Sequence, residues 1–142
     1  MTSPQHWRAH QTEYWNQVAP QYDSLYSTAW SRAENQQVIE QLRQLKCLRP
    51  NSRVLDLGCG TGLGYELCSQ AVTNDLQYYG LDISAEMIAI CNQKWTNGQF
   101  LVGTMSDLSA FKSETFDVVI SLFSAFSYAE EPANVLKEAH RV

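Results

Sequence analysis

Residues 54–64 read Val-Leu-Asp-Leu-Gly-Cys-Gly-Thr-Gly-Leu-Gly. An apolar run of this kind buries as a strand. It ends in a turn where every second residue is glycine, so the backbone can take left-handed angles and approach a ligand without side chains in the way. The residues beyond it read as a helix, whose first N–H groups have no partner inside the helix and point back at the same place. A strand, a bare turn and a helix N-terminus together make a cradle. Whatever else the chain does, it must fold around that unit.

The rest of the chain supplies more units of the same type. Residues 53–57, 78–83, 100–102 and 116–122 read as strands. The last contains the continuous run Val118-Val119-Ile120 expected of a strand covered on both faces. Helices are expected over about 62–72, from Ser84 to about Trp95, and from Glu131 or Pro132 onward, with Ser84 as a cap. Before the first strand, Trp7, His10, Gln11, Tyr14, Trp15 and Val18 recur at helical spacing over 5–18, and Val38, Ile39, Leu42, Leu45 and Leu48 over about 32–47. Pro20 is expected to end or redirect the first helix, leaving Tyr22–Tyr26 as a short turn or helical piece. The fold class is therefore α/β: a Rossmann-like parallel sheet flanked by helices, built from right-handed βαβ units. The 142-residue chain suits one domain, with a helical cap over 1–48 and a βα core over 49–142.

Ligands of such sheets bind beyond the C-terminal strand ends. Gly58–Gly62, Asp82, Thr104-Met105 and the segment after Leu122 all fall at such ends. Asp82 lies 20 residues after Gly62, where an acid can accept both ribose hydroxyls of an adenosine. Two cofactors fit, a dinucleotide or S-adenosylmethionine. The dinucleotide fingerprint G-x-G-x-x-G fails from either start, because Leu63 or Tyr65 stands where its third glycine belongs. What stands is G-x-G-x-G preceded by Asp56. This suits a cofactor with an amino-acid tail and no pyrophosphate. Asp56 would organise the ammonium group and the turn, and the glycines would let the chain bearing the sulfonium lie flat. Cys59 contributes small size and a backbone N–H.

Residues 12–142 resemble the N-terminal part of a class I, Rossmann-like S-adenosylmethionine-dependent methyltransferase. The resemblance is carried by Val54–Gly62, Tyr79–Met87 (YGLDISAEM), Phe100–Leu108 (FLVGTMSDL) and Phe116–Tyr128 (FDVVISLFSAFSY). Residues 18–26 resemble the cap segment of small-molecule methyltransferases. The resemblance implies that Gly58, Gly60 and Gly62 line the methionine portion of S-adenosyl-L-methionine, with S-adenosyl-L-homocysteine as product. It implies that Asp82 takes the ribose hydroxyls and that Ile83 and Met87 pack on adenine. Met105 would offer its N–H to adenine N1, and Leu122 a carbonyl to the ammonium group. Tyr22 and Tyr26 either close over the site or pack as ordinary aromatics. The family often carries an acid just after the third-strand glycine, accepting from adenine N6. Here Thr104 stands there, and Asp107 is the next acid along.

Net charge narrows the partners. At −5, the chain is a poor match for nucleic acid held through phosphates, so a small-molecule acceptor is the expectation. No apolar run reaches the ~20 residues a membrane span needs, and no signal-peptide pattern opens the chain, so a cytoplasmic location is expected. Cys47, Cys59, Cys68 and Cys91 form no metal-binding spacing and read as buried hydrophobes. Trp7, Tyr14 and Trp15 read either as a core-facing stripe or as a substrate wall. His10 and His140 read as structural or exposed, and no catalytic base is assigned. The family continues past the fourth strand and its helix, so the fold is expected to be truncated there. The fourth-strand edge would be open to self-association or a partner chain. The alternative to a working methyltransferase is a non-catalytic or split-half module that holds the adenosyl cofactor.

Overall fold

The structure is a computed structural model that describes residues 4–72 and 75–142. In chain order, α1 spans Pro4–Leu25, α2 Ala29–Gln44, β1 Arg53–Leu57, α3 Leu63–Ala71, β2 Gln77–Asp82, α4 Ala85–Lys94, β3 Gln99–Val102, β4 Val118–Ile120 and α5 Pro132–Arg141. A single 3-10 turn covers Ala125–Tyr128 between β4 and α5. The four strands form one parallel sheet in the order β3-β2-β1-β4.

β1 is buried from Val54 to Leu57, as a strand covered on both faces must be. Side chains alternate along it, and the core divides accordingly. Val54 joins a cluster with Ile39 and Leu42 of α2, Leu67 and Cys68 of α3, Tyr78, and Ile88 and Cys91 of α4. Leu55 and Leu57 face the other way, into a cluster with Leu81, Leu108, Phe116 and Val135. Asp56 shares the Val54 face and lies under α3, where no other ionisable residue of β1 does.

Several boundaries differ from the sequence expectation, each for a physical reason. Pro20 does not end α1, which runs through it to Leu25. An interior proline removes one helix hydrogen bond and crowds the preceding turn. Here the last turn is held from outside instead: Thr61 Oγ1 donates to Asp23 Oδ1 at 2.5 Å, and Lys94 Nζ to Asp23 Oδ2 at 2.8 Å. α2 begins three residues earlier than the apolar stripe suggests, because Thr28 caps it by accepting from the Ser31 N–H. β4 is shorter than expected. Phe116 N–H is drawn to the Val142 carbonyl, and after Ile120 the Ser121 hydroxyl turns to the Leu57 carbonyl. Among the described residues no strand pairs with the outer side of β4, and its three residues are only half-buried. Cys59, Cys68 and Cys91 are buried as expected, but Cys47 is exposed beyond the end of α2.

Candidate functional site

The glycine turn adopts the shape its composition allows. Gly58, Gly60 and Gly62 take φ of 81°, 53° and 90°, the left-handed region that a side chain would strain. The turn is strapped to the end of β2, because Gly58 and Cys59 N–H both donate to the Leu81 carbonyl, at 2.8 and 3.1 Å. Gly58 also leaves room for the 3-10 turn: a Cβ there would stand 2.6 Å from that of Ala125. Two strand ends and the segment after β4 are thus drawn together around one turn.

Asp82 completes the strap. Its Oδ2 accepts from Gly60 N–H at 2.9 Å and its Oδ1 from Ser84 N–H at 2.9 Å. Burial pushes its carboxyl above the usual range, opposed by the N–H groups of Ser84, Gly60 and Ile83. Ser84 is the N-cap of α4, as its position suggested, accepting from Met87 N–H.

Asp56 sits deeper, 2% exposed. Burial pushes its carboxyl up to about 7; the Tyr78 hydroxyl bonded to Oδ2 pulls it down, and the neighbouring Asp82 charge adds to the rise. Its Oδ1 is buried with no hydrogen-bond partner. An orphaned carboxylate oxygen is costly in a protein interior, and this one belongs to a residue that lines a cavity.

That cavity lies over the glycine turn and opens to solvent at its mouth. Of the residues singled out in the sequence, Tyr22, Asp56, Gly58, Cys59, Gly60, Asp82, Ile83, Met87, Thr104, Met105 and Leu122 all line it. Gly62 and Tyr26 stand outside its wall. Gly62 opens α3 and faces α4, where a Cβ would meet the Trp95 indole at 2.5 Å. Tyr26 is 53% exposed and lies against the Tyr22 ring, centroids 4.8 Å apart. Thr104 Oγ1 accepts from Ser106 N–H. Asp107 is exposed, does not line the cavity, and turns back on Ser109 N–H. Ser106 lines the cavity in its place, with its hydroxyl buried and without a partner. The Leu122 carbonyl accepts from Ala125 N–H, which leaves its second lone pair.

The opposite wall of the cavity was only half seen in the sequence. Trp7, Arg8, Gln11 and Trp15 of α1 line it, with Tyr128 and Glu130 from beyond β4. Arg8 and Glu130 form a two-pronged ion pair within that wall, Nε to Oε1 at 2.9 Å and a terminal nitrogen to Oε2 at 2.8 Å. Helical spacing did mark the α1 stripe, but aromatic residues at that spacing look the same whether they face a core or a cavity. Arg8, Glu130 and Ser106 carry no local signature at all. His10 and His140 are exposed, and the described residues contain no cluster of side chains able to hold a metal ion. No described helix is long and apolar enough to cross a membrane.

Comparison with known proteins agrees with this geometry. Residues 55–142 match the family described as a methyltransferase domain. The chain is 34% identical over 97 residues to the 18S rRNA (guanine(1575)-N(7))-methyltransferase of Saccharomyces cerevisiae, covering 67% of this chain and 34% of that protein. It is 31% identical over 128 residues to the demethylmenaquinone methyltransferase of Chlorobaculum tepidum, covering 89% of this chain and 52% of the relative. Among solved structures, the PH0226 protein of Pyrococcus horikoshii superimposes with a TM-score of 0.68 at 31% identity, over 92% of this chain and 60% of that one. The chain therefore spans about a third to a half of the length of these two curated relatives.

Proposed function

This chain belongs to the class I, Rossmann-like family of S-adenosylmethionine-dependent methyltransferases, and from that premise we propose that it serves methyl transfer to a nitrogen or oxygen of a small-molecule acceptor. The observation that carries the proposal is the meeting of the glycine turn, Asp56 and Asp82 on one side of a cavity whose other side is aromatic.

Bound S-adenosylmethionine supplies a methyl group on a positive sulfonium, an electrophile that needs no further activation. The residues present suit it. Asp82 already holds two backbone N–H groups and keeps lone pairs for ribose hydroxyls. Asp56 offers an orphaned buried oxygen to an ammonium group. Ile83 and Met87 give adenine an apolar seat, and Ser106, rather than Asp107, presents a free hydroxyl on the same wall. Tyr22 lies over Gly60, its ring 3.9 Å from where a Cβ would be, and shields the turn from water. With the electrophile supplied, the protein's task is to align the acceptor and exclude solvent. A free amine needs no dedicated base for this.

The acceptor is the open half of the proposal, since the relatives named above act on rRNA and on demethylmenaquinone. The net charge of −5 favours a small molecule over a polyanion. Incubating the chain with methyl-labelled cofactor and fractionated small-molecule or RNA extracts decides between them. Label is expected in the small-molecule fraction. Label confined to RNA overturns the acceptor assignment, and label in neither favours a module that holds the cofactor without turnover.

The buried acid gives the site a pH dependence. Below about 7 Asp56 holds a proton and is neutral; above it the carboxylate faces the ammonium group. Affinity for S-adenosylhomocysteine is therefore expected to rise by up to ~10-fold per pH unit between pH 5.5 and 7 and to level off above. Binding near pH 7 should release a proton, read as a buffer-dependent enthalpy. A dissociation constant flat from pH 5.5 to 8 would remove Asp56 from the ammonium site.

A further inference from the structure

We propose that the α1 side of the cavity is an acceptor subsite for a planar aromatic or heteroaromatic small molecule bearing an O–H or N–H at its edge, and that Gln11 selects for that hydrogen-bond donor. The inference rests on the reading of the glycine side as the cofactor's half.

Three observations lead there. The first is shape. α1 turns Trp7, Gln11, Trp15 and Tyr22 to the cavity, spaced by four, four and seven residues along one helical stripe. Trp15 meets the Tyr128 ring edge-on at 5.4 Å, so the aromatic wall continues onto the segment after β4. Flat rings are the ligands such walls pack best. The same cavity runs from the glycine turn to these rings, so a flat molecule held by them lies beside the cofactor's half.

The second observation is the polar group in that wall. Gln11 is 8% exposed, and its Oε1 is buried with no hydrogen-bond partner. Buried carbonyl oxygens are seldom left so. A glutamine on the cavity-facing stripe of α1, between two tryptophans, contributes nothing to packing that leucine or methionine would not do better. It does supply an acceptor for a ligand N–H or O–H.

The third is charge. Arg8 and Glu130 lie on the same side, but each is consumed by the other in the two-pronged pair. Asp56 of β1 and Asp82 at the end of β2 belong to the other half, beside the glycine turn. The α1 wall therefore presents no uncompensated charge, and it suits a neutral acceptor better than an ammonium or carboxylate compound.

2-Naphthol and naphthalene are the probes that isolate the donor. They share a flat ring system and differ by one hydroxyl. Equilibrium dialysis against the chain saturated with S-adenosylhomocysteine is expected to show 2-naphthol held about tenfold tighter. Gln11→Met should bring the ratio close to one, leave the affinity for S-adenosylhomocysteine within twofold, and raise the melting temperature by a few degrees, because an unpartnered buried oxygen is removed. Gln11→Leu should repeat the result with a different side-chain shape. Equal retention of both probes by the wild-type chain overturns the proposal. So does a ratio that persists in both variants, or retention of an RNA oligomer with neither probe. A fall in S-adenosylhomocysteine affinity alongside the ratio would place Gln11 in the cofactor's half and overturn it too. If S-adenosylhomocysteine does not bind the wild-type chain, the cofactor reading has failed, and the probe ratio measured without it still decides the role of Gln11.

Discussion

Replacing Asp82 by alanine is expected to weaken S-adenosylhomocysteine binding by ~100-fold or more. The carboxylate does two jobs at once. Toward the protein it fixes Gly60 and Ser84 N–H, each at 2.9 Å, and so holds the bare turn in its left-handed shape against the end of β2. Toward the ligand it would accept the ribose hydroxyls. Hydrogen bonds to a charged group contribute ~1.5–3 kcal/mol each, so losing two from a ligand exceeds a hundredfold in affinity. The fold should survive, because the freed N–H groups lie at a cavity wall and Ser84 itself caps α4 through Met87 N–H. A role for Asp82 confined to the start of α4 would read differently: a loss of ~1 kcal/mol in stability with affinity unchanged. Titration calorimetry and a denaturation curve on the same variant separate the two. A dissociation constant within threefold of the wild type would sink the ribose assignment.

The largest effect on stability is expected at a glycine of the cavity wall, through packing alone. Gly64, in the first turn of α3, lies directly over the buried pair that Asp56 and Tyr78 form. A Cβ at Gly64 would collide with Asp56 Oδ2 and stand 2.6 Å from the Tyr78 hydroxyl. Both neighbours belong to central strands and have nowhere to go, so α3 must lift from the sheet or the pair must break. Overpacking of this kind costs ~1–3 kcal/mol, and a buried carboxylate left without its donor a further ~1–3 kcal/mol. Alanine returns only ~1 kcal/mol through helix propensity. The net, ~1–5 kcal/mol, reaches a large share of the ~5–15 kcal/mol that holds a domain together. Gly64→Ala should therefore shift the denaturant midpoint strongly. Gly60→Ala is the contrast, since a Cβ there meets only Tyr22 at 3.9 Å and bears the strain of one left-handed residue, ~1–2 kcal/mol. Equal midpoints for the two variants would contradict the packing account of Gly64.

What the chain discloses before folding is unequal across these residues. The β1–turn–α3 unit, the Ser84 cap and the place of Asp82 were legible because each depends on local chemistry: glycine at left-handed angles, a hydroxyl before a helix, an acid at a strand end. The parallel order β3-β2-β1-β4 follows from the same alternation of strands and helices. Contacts between distant segments were not legible. Pro20 reads as a helix end, yet α1 passes through it because Thr61 and Lys94, far along the chain, hold Asp23. Asp107 is the first acid after the third-strand end, yet the loop turns it outward and brings in Ser106. Gly62 belongs to the glycine pattern, yet its bare face is taken by Trp95 rather than by the cavity. The Arg8–Glu130 pair joins residues 122 positions apart, and nothing local marks either.

Everything proposed for the cavity above the glycine turn follows from its being a site for an adenosyl cofactor with an amino-acid tail. Titration calorimetry of this chain with S-adenosylhomocysteine and, separately, with NAD tests it most directly. One molecule of S-adenosylhomocysteine per chain is expected to bind with a dissociation constant on the order of micromolar, and NAD to give no measurable heat. Tighter binding of NAD than of S-adenosylhomocysteine would contradict the account.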